Sequence, residues 1–243
     1  MPAPPDNPLL RALNLHHSHA GAPALAGVHA TVRAGEILAV TGPRASGKTT
    51  LLRCLAGRLR PDEGEVWFDE IPLHALGPGA RERLRRERYG RIGPDPLLLP
   101  ELSVWENAAL PLLALGAGRR AAKSAAREWL DRLDLGALAR KRPRALTRAQ
   151  CQHVALARAL VHEPAVVLAD EPTAPLHRAD AARLLRTLTT AARSHGITVV
   201  LATHDLDVAE AADRRLALLD GRPADGAGDP HAPEDRPACS LSV

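Results

Sequence analysis

Aromatic residues are nearly missing from this chain: three Trp, one Tyr and one Phe in 243 positions. So few rings leave little material for base-stacking platforms, and no nucleic-acid partner is expected even though the formal net charge is +4. The positive residues are interleaved with acids, as in Arg81-Glu82-Arg83-Leu84-Arg85-Arg86-Glu87-Arg88, a pattern that reads as a solvated helix face. Cysteine is scarce as well. Cys54, Cys151 and Cys239 are odd in number and far apart, which matches neither a disulfide framework nor a zinc knuckle and fits a reducing cytoplasm. Long apolar runs are lacking: the longest, residues 108–117, is broken by Pro111, and residues 1–8 are Pro-rich and polar with no leader pattern. If the protein works at a membrane, another polypeptide must supply the span.

Lysine is the most telling scarcity, because Lys48, Lys123 and Lys141 are the only lysines among 32 basic residues. The first of them lies in Gly42-Pro43-Arg44-Ala45-Ser46-Gly47-Lys48-Thr49, between an apolar strand-like run at residues 37–40 and a helix-like one at residues 50–56. This is the phosphate-binding P-loop in its proper context. Its glycines let backbone N–H groups close around phosphate oxygens, the helix that begins near Thr50 adds its dipole, Lys48 reaches the β- and γ-phosphates, and Thr49 offers a hydroxyl to Mg²⁺. A compact ammonium fits such a cradle where a broad guanidinium does not. A nucleoside triphosphate is therefore the expected ligand.

With 45% hydrophobic and 25% charged residues, the chain can bury a full core as one α/β domain. Strand-like runs at residues 9–15, 28–32, 37–40 and 64–68 suggest a small antiparallel sheet beside the nucleotide. Residues 94–160 turn helical and Ala-rich, as an inserted helical subdomain would. The remainder alternates strand and helix, which implies a parallel sheet with crossover helices. One domain is expected over residues 9–221, with disordered ends at 1–8 and 222–243.

Val166-Val167-Leu168-Ala169-Asp170-Glu171 is an apolar strand ending in two carboxylates, placed to set Asp170 on Mg²⁺ and Glu171 beside an attacking water. A later strand at residues 197–202 delivers Thr203-His204-Asp205 at its C-terminal end, where open α/β sheets gather ligand groups. The P-loop, the segment 146–160 ahead of Asp170-Glu171-Pro172-Thr173, and Thr203-His204-Asp205 together resemble an ATP-binding cassette (ABC) ATPase over about residues 9–220. The segment from Leu98-Leu99-Pro100 through Leu112-Leu113 also resembles cassettes of lipoprotein-release and macrolide-export systems. The resemblance implies a P-loop core of mainly parallel sheet with an antiparallel β subdomain and an inserted helical subdomain. It further implies binding of ATP and Mg²⁺ and pairing with a second cassette, identical or different. Separate membrane-spanning subunits would be moved from the cytoplasmic face of the cell membrane. In that reading Lys48 and His204 hold the γ-phosphate side, Thr49 and Asp170 hold the metal, Glu171 polarises the water, Thr50 and the P-loop line the nucleotide, and His19 stacks on adenine.

Several positions depart from the family. Leu146-Thr147-Arg148-Ala149-Gln150 stands where the signature reads Leu-Ser-Gly-Gly-Gln, so the loop that closes on the partner's γ-phosphate keeps its hydroxyl and loses both glycines. Pro94 falls where a glutamine is usual, and His177 where an aspartate is usual. Arg148 admits a reading as an arginine finger, but a side chain turned to solvent in a loosened loop is the simpler expectation. The cluster His16-His17-Ser18-His19 reads as surface histidines, because neighbours on an extended run point to opposite faces and no carboxylate lies near in sequence. These departures imply weak ATPase activity, or, as an alternative, a regulatory cassette that binds ATP without turning over. A soluble DNA-repair or translation cassette is disfavoured, since neither a second cassette nor a long insertion is visible.

Overall fold

The computed structural model describes residues 8–224. β1 (Pro8–His19) and β2 (Ala22–Arg33) form a long antiparallel hairpin, closed by Ala20 and Gly21 with φ of 50° and 85°. Two positive φ values give the turn a twist that matches paired strands. β3 (Ile37–Thr41) leads through the P-loop into α1 (Lys48–Leu55), and β4 (Glu63–Phe68) and β5 (Ile71–Pro72) return to the hairpin. α2 (Pro78–Arg88) runs directly into β6 (Tyr89–Ile92), after which α3 (Val104–Ala114), α4 (Arg119–Arg132) and α5 (Arg148–Leu160) follow with no strand between them. The last part alternates β7 (Val166–Asp170), α6 (Arg178–His195), β8 (Thr198–Thr203), α7 (Leu206–Ala209), β9 (Arg214–Leu219) and β10 (Arg222–Pro223).

Two sheets result. The antiparallel one has the order β2-β1-β4-β5, and the larger one β10-β9-β3-β8-β7-β6, parallel except for β10 against β9. Every residue of β3, β7 and β8 is buried. Their side chains alternate between two cores: Ile37, Val167, Ala169, Val199 and Leu201 face the helices α3 to α6, whereas Leu38, Val40, Val166, Leu168 and Val200 face α1 and the antiparallel sheet. That double burial is why these strands read as unbroken apolar runs, and it places β3 beside β8, with β7 next, so that their C-terminal ends share one edge.

The structure corrects several expectations. Residues 37–40 do not join the antiparallel sheet, because a run buried on both faces suits only the middle of the larger sheet. β6 escaped notice altogether: Tyr89-Gly90-Arg91-Ile92 is short, half polar, and abuts a charged helix with no turn signal between. Pro111 does not break the apolar run; it lies inside α3, whose end is secured by Leu115 N–H on the Pro111 carbonyl at 3.0 Å. Pro8 opens β1 and Arg222–Pro223 form β10, so both ends carry ordered strand where disorder was expected. The rest of those expected tails, residues 1–7 and 225–243 with Cys239, lies outside the described residues. No described helix is long and apolar enough to cross a membrane.

α6 starts without a side-chain cap: His177 has the extended N-cap backbone (φ −71°, ψ 155°) but makes no capping hydrogen bond. His177→Asp supplies a carboxylate oxygen for the free N–H groups of the first turn, worth about 1 kcal/mol. The expected rise in Tm is about 2–4 °C for a chain of this size, and a thermal melt with no rise would show that the turn is already satisfied by other means.

Candidate active site

The loop after β3 is shaped by close approach. A Cβ on Gly42 (φ 143°) would sit 2.1 Å from the Leu218 carbonyl oxygen, and one on Gly47 (φ 98°) 2.3 Å from that of Ala24. Neither position admits a side chain. Ala45 also has a positive φ of 64°, a conformation that costs a residue with a Cβ about 1–2 kcal/mol. Ser46 is buried and its Oγ has no hydrogen-bond partner, an unmet polar atom inside the cradle.

Lys48 is only 6% exposed, and Nζ donates to the carbonyls of Gly42 at 2.8 Å and Pro43 at 2.7 Å, with Glu171 Oε1 3.8 Å away. Glu171 follows β7 in a left-handed conformation (φ 48°), and its N–H donates to the Ala202 carbonyl at 2.9 Å. Its carboxylate meets His204 Nδ1 at 2.9 Å and 3.0 Å. One step back along β7, Asp170 Oδ1 accepts the Thr49 hydroxyl at 3.0 Å. The adjacent ends of β3, β7 and β8 thus bring together five residues singled out in the sequence, Lys48, Thr49, Asp170, Glu171 and His204. His19, at the exposed end of β1, joins this edge through Nε2 and the Thr50 hydroxyl at 3.3 Å. Its ring packs edge-on against His17 with centroids 4.7 Å apart. A carboxylate distant in sequence does reach the histidine cluster, for Asp62 Oδ1 lies 3.2 Å from His17 Nδ1 and Oδ2 accepts the Ser18 N–H.

Residues 147–150 stand apart from this edge and differ from expectation. Thr147 caps α5, accepting the Gln150 N–H at 3.2 Å, while the Gln150 side chain accepts the Thr147 N–H at 2.9 Å. Arg148 and Ala149 are therefore the first two helical residues and not part of a loosened loop; alanine in place of glycine favours such a helix by about 1 kcal/mol. Arg148 is not free in solvent either, since Nη2 lies 3.4 Å from Asp95 Oδ1. Pro94 follows β6 on the segment that carries Asp95.

Three residues were missed. Gln152 is fully buried, and its amide donates both to Gly93 O at 2.6 Å and to Pro172 O at 2.8 Å, tying the segment before Pro94 to the one after Glu171. A glutamine on the apolar side of a helical pattern was the available signal. Arg53 on α1 and Arg91 on β6 lie close enough to influence Asp170. Burial pushes the Asp170 carboxyl above its ordinary range, opposed by the Thr49 bond and these two charges.

The native state consequently holds the Asp170 proton more tightly than the unfolded chain does, so the charged form opposes folding above that raised range and the opposition fades as pH falls through it. Asp170→Asn keeps an acceptor for Thr49 and removes the charge. The variant should melt higher than the parent without nucleotide at neutral pH, with the gain shrinking as pH falls into the acid range where carboxylates titrate; an equal or lower Tm at neutral pH would contradict this reading of the buried carboxylate.

Residues 25–174 match the ABC transporter family. The chain is 39% identical over 199 residues to the lipoprotein-releasing system ATP-binding protein LolD 2 of Caulobacter vibrioides, covering 82% of this chain and 87% of that one. Over 198 residues it is 38% identical to the uncharacterized ABC transporter ATP-binding protein YbbA of Escherichia coli (strain K12), again 82% of this chain and 87% of the relative. Its fold matches a dimeric post-hydrolysis structure of the ATP-binding cassette MJ0796, bound to ADP and Pi, with a TM-score of 0.83 at 30% identity, over 88% of this chain and 96% of that one. The family match spans more than half of the residues, and the relatives are ATP-binding proteins: the chain belongs to the ABC transporter family as an ATP-binding subunit.

Proposed function

We propose that this chain binds Mg²⁺-ATP at the edge formed by β3, β7 and β8, and pairs with a second cassette on the cytoplasmic face of the cell membrane. There it drives separate membrane-spanning subunits by ATP hydrolysis. The observation that carries the reading is the bonded chain from Lys48 through Glu171 to His204, beside Thr49 and Asp170. A resting ammonium held by two backbone carbonyls can exchange them for phosphate oxygens with little loss of hydrogen bonding. In this reading Glu171 would orient a water and accept its proton, and His204, bonded to that carboxylate, would serve the γ-phosphate side. The backbone of Gly42, Pro43, Arg44, Ala45, Ser46 and Gly47 and the hydroxyl of Thr50 complete the cradle, and His19 offers a ring for adenine.

The Thr49 hydroxyl and Asp170 carboxylate are hard oxygen donors next to one another, and Mg²⁺ binds through one or two such groups while keeping waters and substrate phosphates. When bound, the ion supplies charge neutralisation on the phosphate oxygens. Residues Thr147, Arg148, Ala149 and Gln150 face the nucleotide of the partner cassette in this reading; the dimeric MJ0796 structure supports such pairing. Relatives named as ATP-binding proteins of a lipoprotein-releasing system support separate membrane subunits. A cleft of about 520 Å³ opens beside Pro94, walled by Arg58, Arg91, Arg158, Leu97, Leu110 and Pro111. The non-hydrolysing alternative rests on Pro94, Arg148 and Ala149, and it is not favoured: the gathering of Lys48, Asp170, Glu171 and His204 at one edge supports hydrolysis, and so does the likeness to a cassette in a post-hydrolysis state.

Lys48→Ala should weaken ATP binding by at least about tenfold, the loss of one or two charge-assisted hydrogen bonds; unchanged affinity in a calorimetric titration would remove the P-loop from the account. Glu171→Gln keeps shape and most hydrogen bonding but not the charge. It should still bind ATP while phosphate release falls by about 10²- to 10⁴-fold, and turnover at the parent rate would strip Glu171 of its role.

A further inference from the structure

We propose that Arg148 is a phosphate-binding residue that acts in trans: its guanidinium grips the γ-phosphate held by the partner cassette, and Asp95 keeps it parked while the subunit is unpaired. This rests on the paired-cassette reading above. The first two positions of α5 bear Arg148 and Ala149, and the cap built by Thr147 and Gln150 holds that turn in regular helix. A backbone carrying Cβ atoms approaches a phosphate less closely than a glycine pair does. A long side chain with five N–H donors in a planar fork replaces close approach with reach and charge.

The state of Arg148 fits storage better than bracing. Its contact with Asp95 is 3.4 Å, between side chains that are 63% and 72% exposed, the class of ion pair that water and salt weaken most. Arginine used for structure looks different on the same segment: Arg158 donates to the carbonyls of Pro96 at 2.5 Å and Leu97 at 2.9 Å. Those bonds and the Gln152 bond to Gly93 hold the backbone on either side of Asp95, so the segment that carries the carboxylate is tethered without help from Arg148. An exposed guanidinium weakly paired with an acid on a tethered segment is poised to change partners. A γ-phosphate, with more negative charge and several oxygens to offer, outcompetes one exposed carboxylate for the fork.

The test measures ATP-driven dimerisation by sedimentation velocity in the Glu171→Gln background, where hydrolysis does not dissolve the dimer. Four chains are compared: that background alone, and the same with Arg148→Ala, Arg148→Lys or Asp95→Ala. Arg148→Ala should raise the protein concentration for half-dimerisation by at least about tenfold, as loss of a charge-assisted contact does, with Arg148→Lys in between. Asp95→Ala should dimerise as well as the background or better, because the guanidinium is released. ATP affinity of the dilute monomer, read separately, should not follow the dimerisation ranking. Dimerisation of Arg148→Ala like the background overturns the proposal, as does failure of Asp95→Ala alongside Arg148→Ala, which would make the pair a brace. Absence of any ATP-driven dimer in the background chain overturns pairing of this chain with a second copy of itself and, with it, this inference.

Discussion

A single ammonium group organises the functional end of this molecule. Lys48 is taken almost wholly out of water, a costly position for a cation unless oxygens surround it, and the Gly42 and Pro43 carbonyls and the Glu171 carboxylate do so. That requirement reaches far into the fold. The loop can curl over the lysine only because Gly42 and Gly47 lie against the Leu218 and Ala24 carbonyls without side chains. Glu171 arrives only because β7 is separated from β3 by β8 alone, and His204 only because β8 ends between them. The doubly buried strands are thus the scaffold of an electrostatic arrangement, and their packing fixes the distances on which it depends.

The departures from the family pattern have separate physical characters. Replacing glycine at Arg148 and Ala149 improves a helix start, so it does not weaken the fold; its effect lies in what the helix presents to a partner. Replacing an aspartate at His177 leaves α6 without a side-chain cap, a loss of local stability. Pro94 removes a polar side chain from the segment beside the site, yet that segment remains tethered through Gly93 and Gln152. A chain can keep the groups that act on its own nucleotide while altering those it offers to another.

Much of this was readable in the residues, and the reason is burial. β3, β7 and β8 are buried on both faces, so Ile37-Leu38-Ala39-Val40 and Val166-Val167-Leu168-Ala169 announced themselves as apolar runs, and the residues at their ends were named from chain order. Which sheet β3 enters was not readable, because pairing depends on partners distant in sequence. β6 was invisible for the opposite reason: at an edge, with only Gly90 and Ile92 buried, it carries no pattern of its own. Gln152 showed only as a polar residue on an apolar helix face and Asp95 not at all, since their meaning comes from contacts with Pro172 and Arg148 that only the folded chain creates. The acid at Asp62 that meets His17 belongs to the same class.

The central claim is that the resting bonds of Lys48 stand in for those it makes to nucleotide. The most direct measurement is a crystal structure of the chain with Mg²⁺ and a non-hydrolysable ATP analogue. The account predicts Lys48 Nζ transferred from the Gly42 and Pro43 carbonyls to phosphate oxygens, with Thr49 and Asp170 on the metal and Glu171 facing the terminal phosphate. An analogue bound elsewhere, or seated in the loop while Lys48 remains on those two carbonyls, would contradict it.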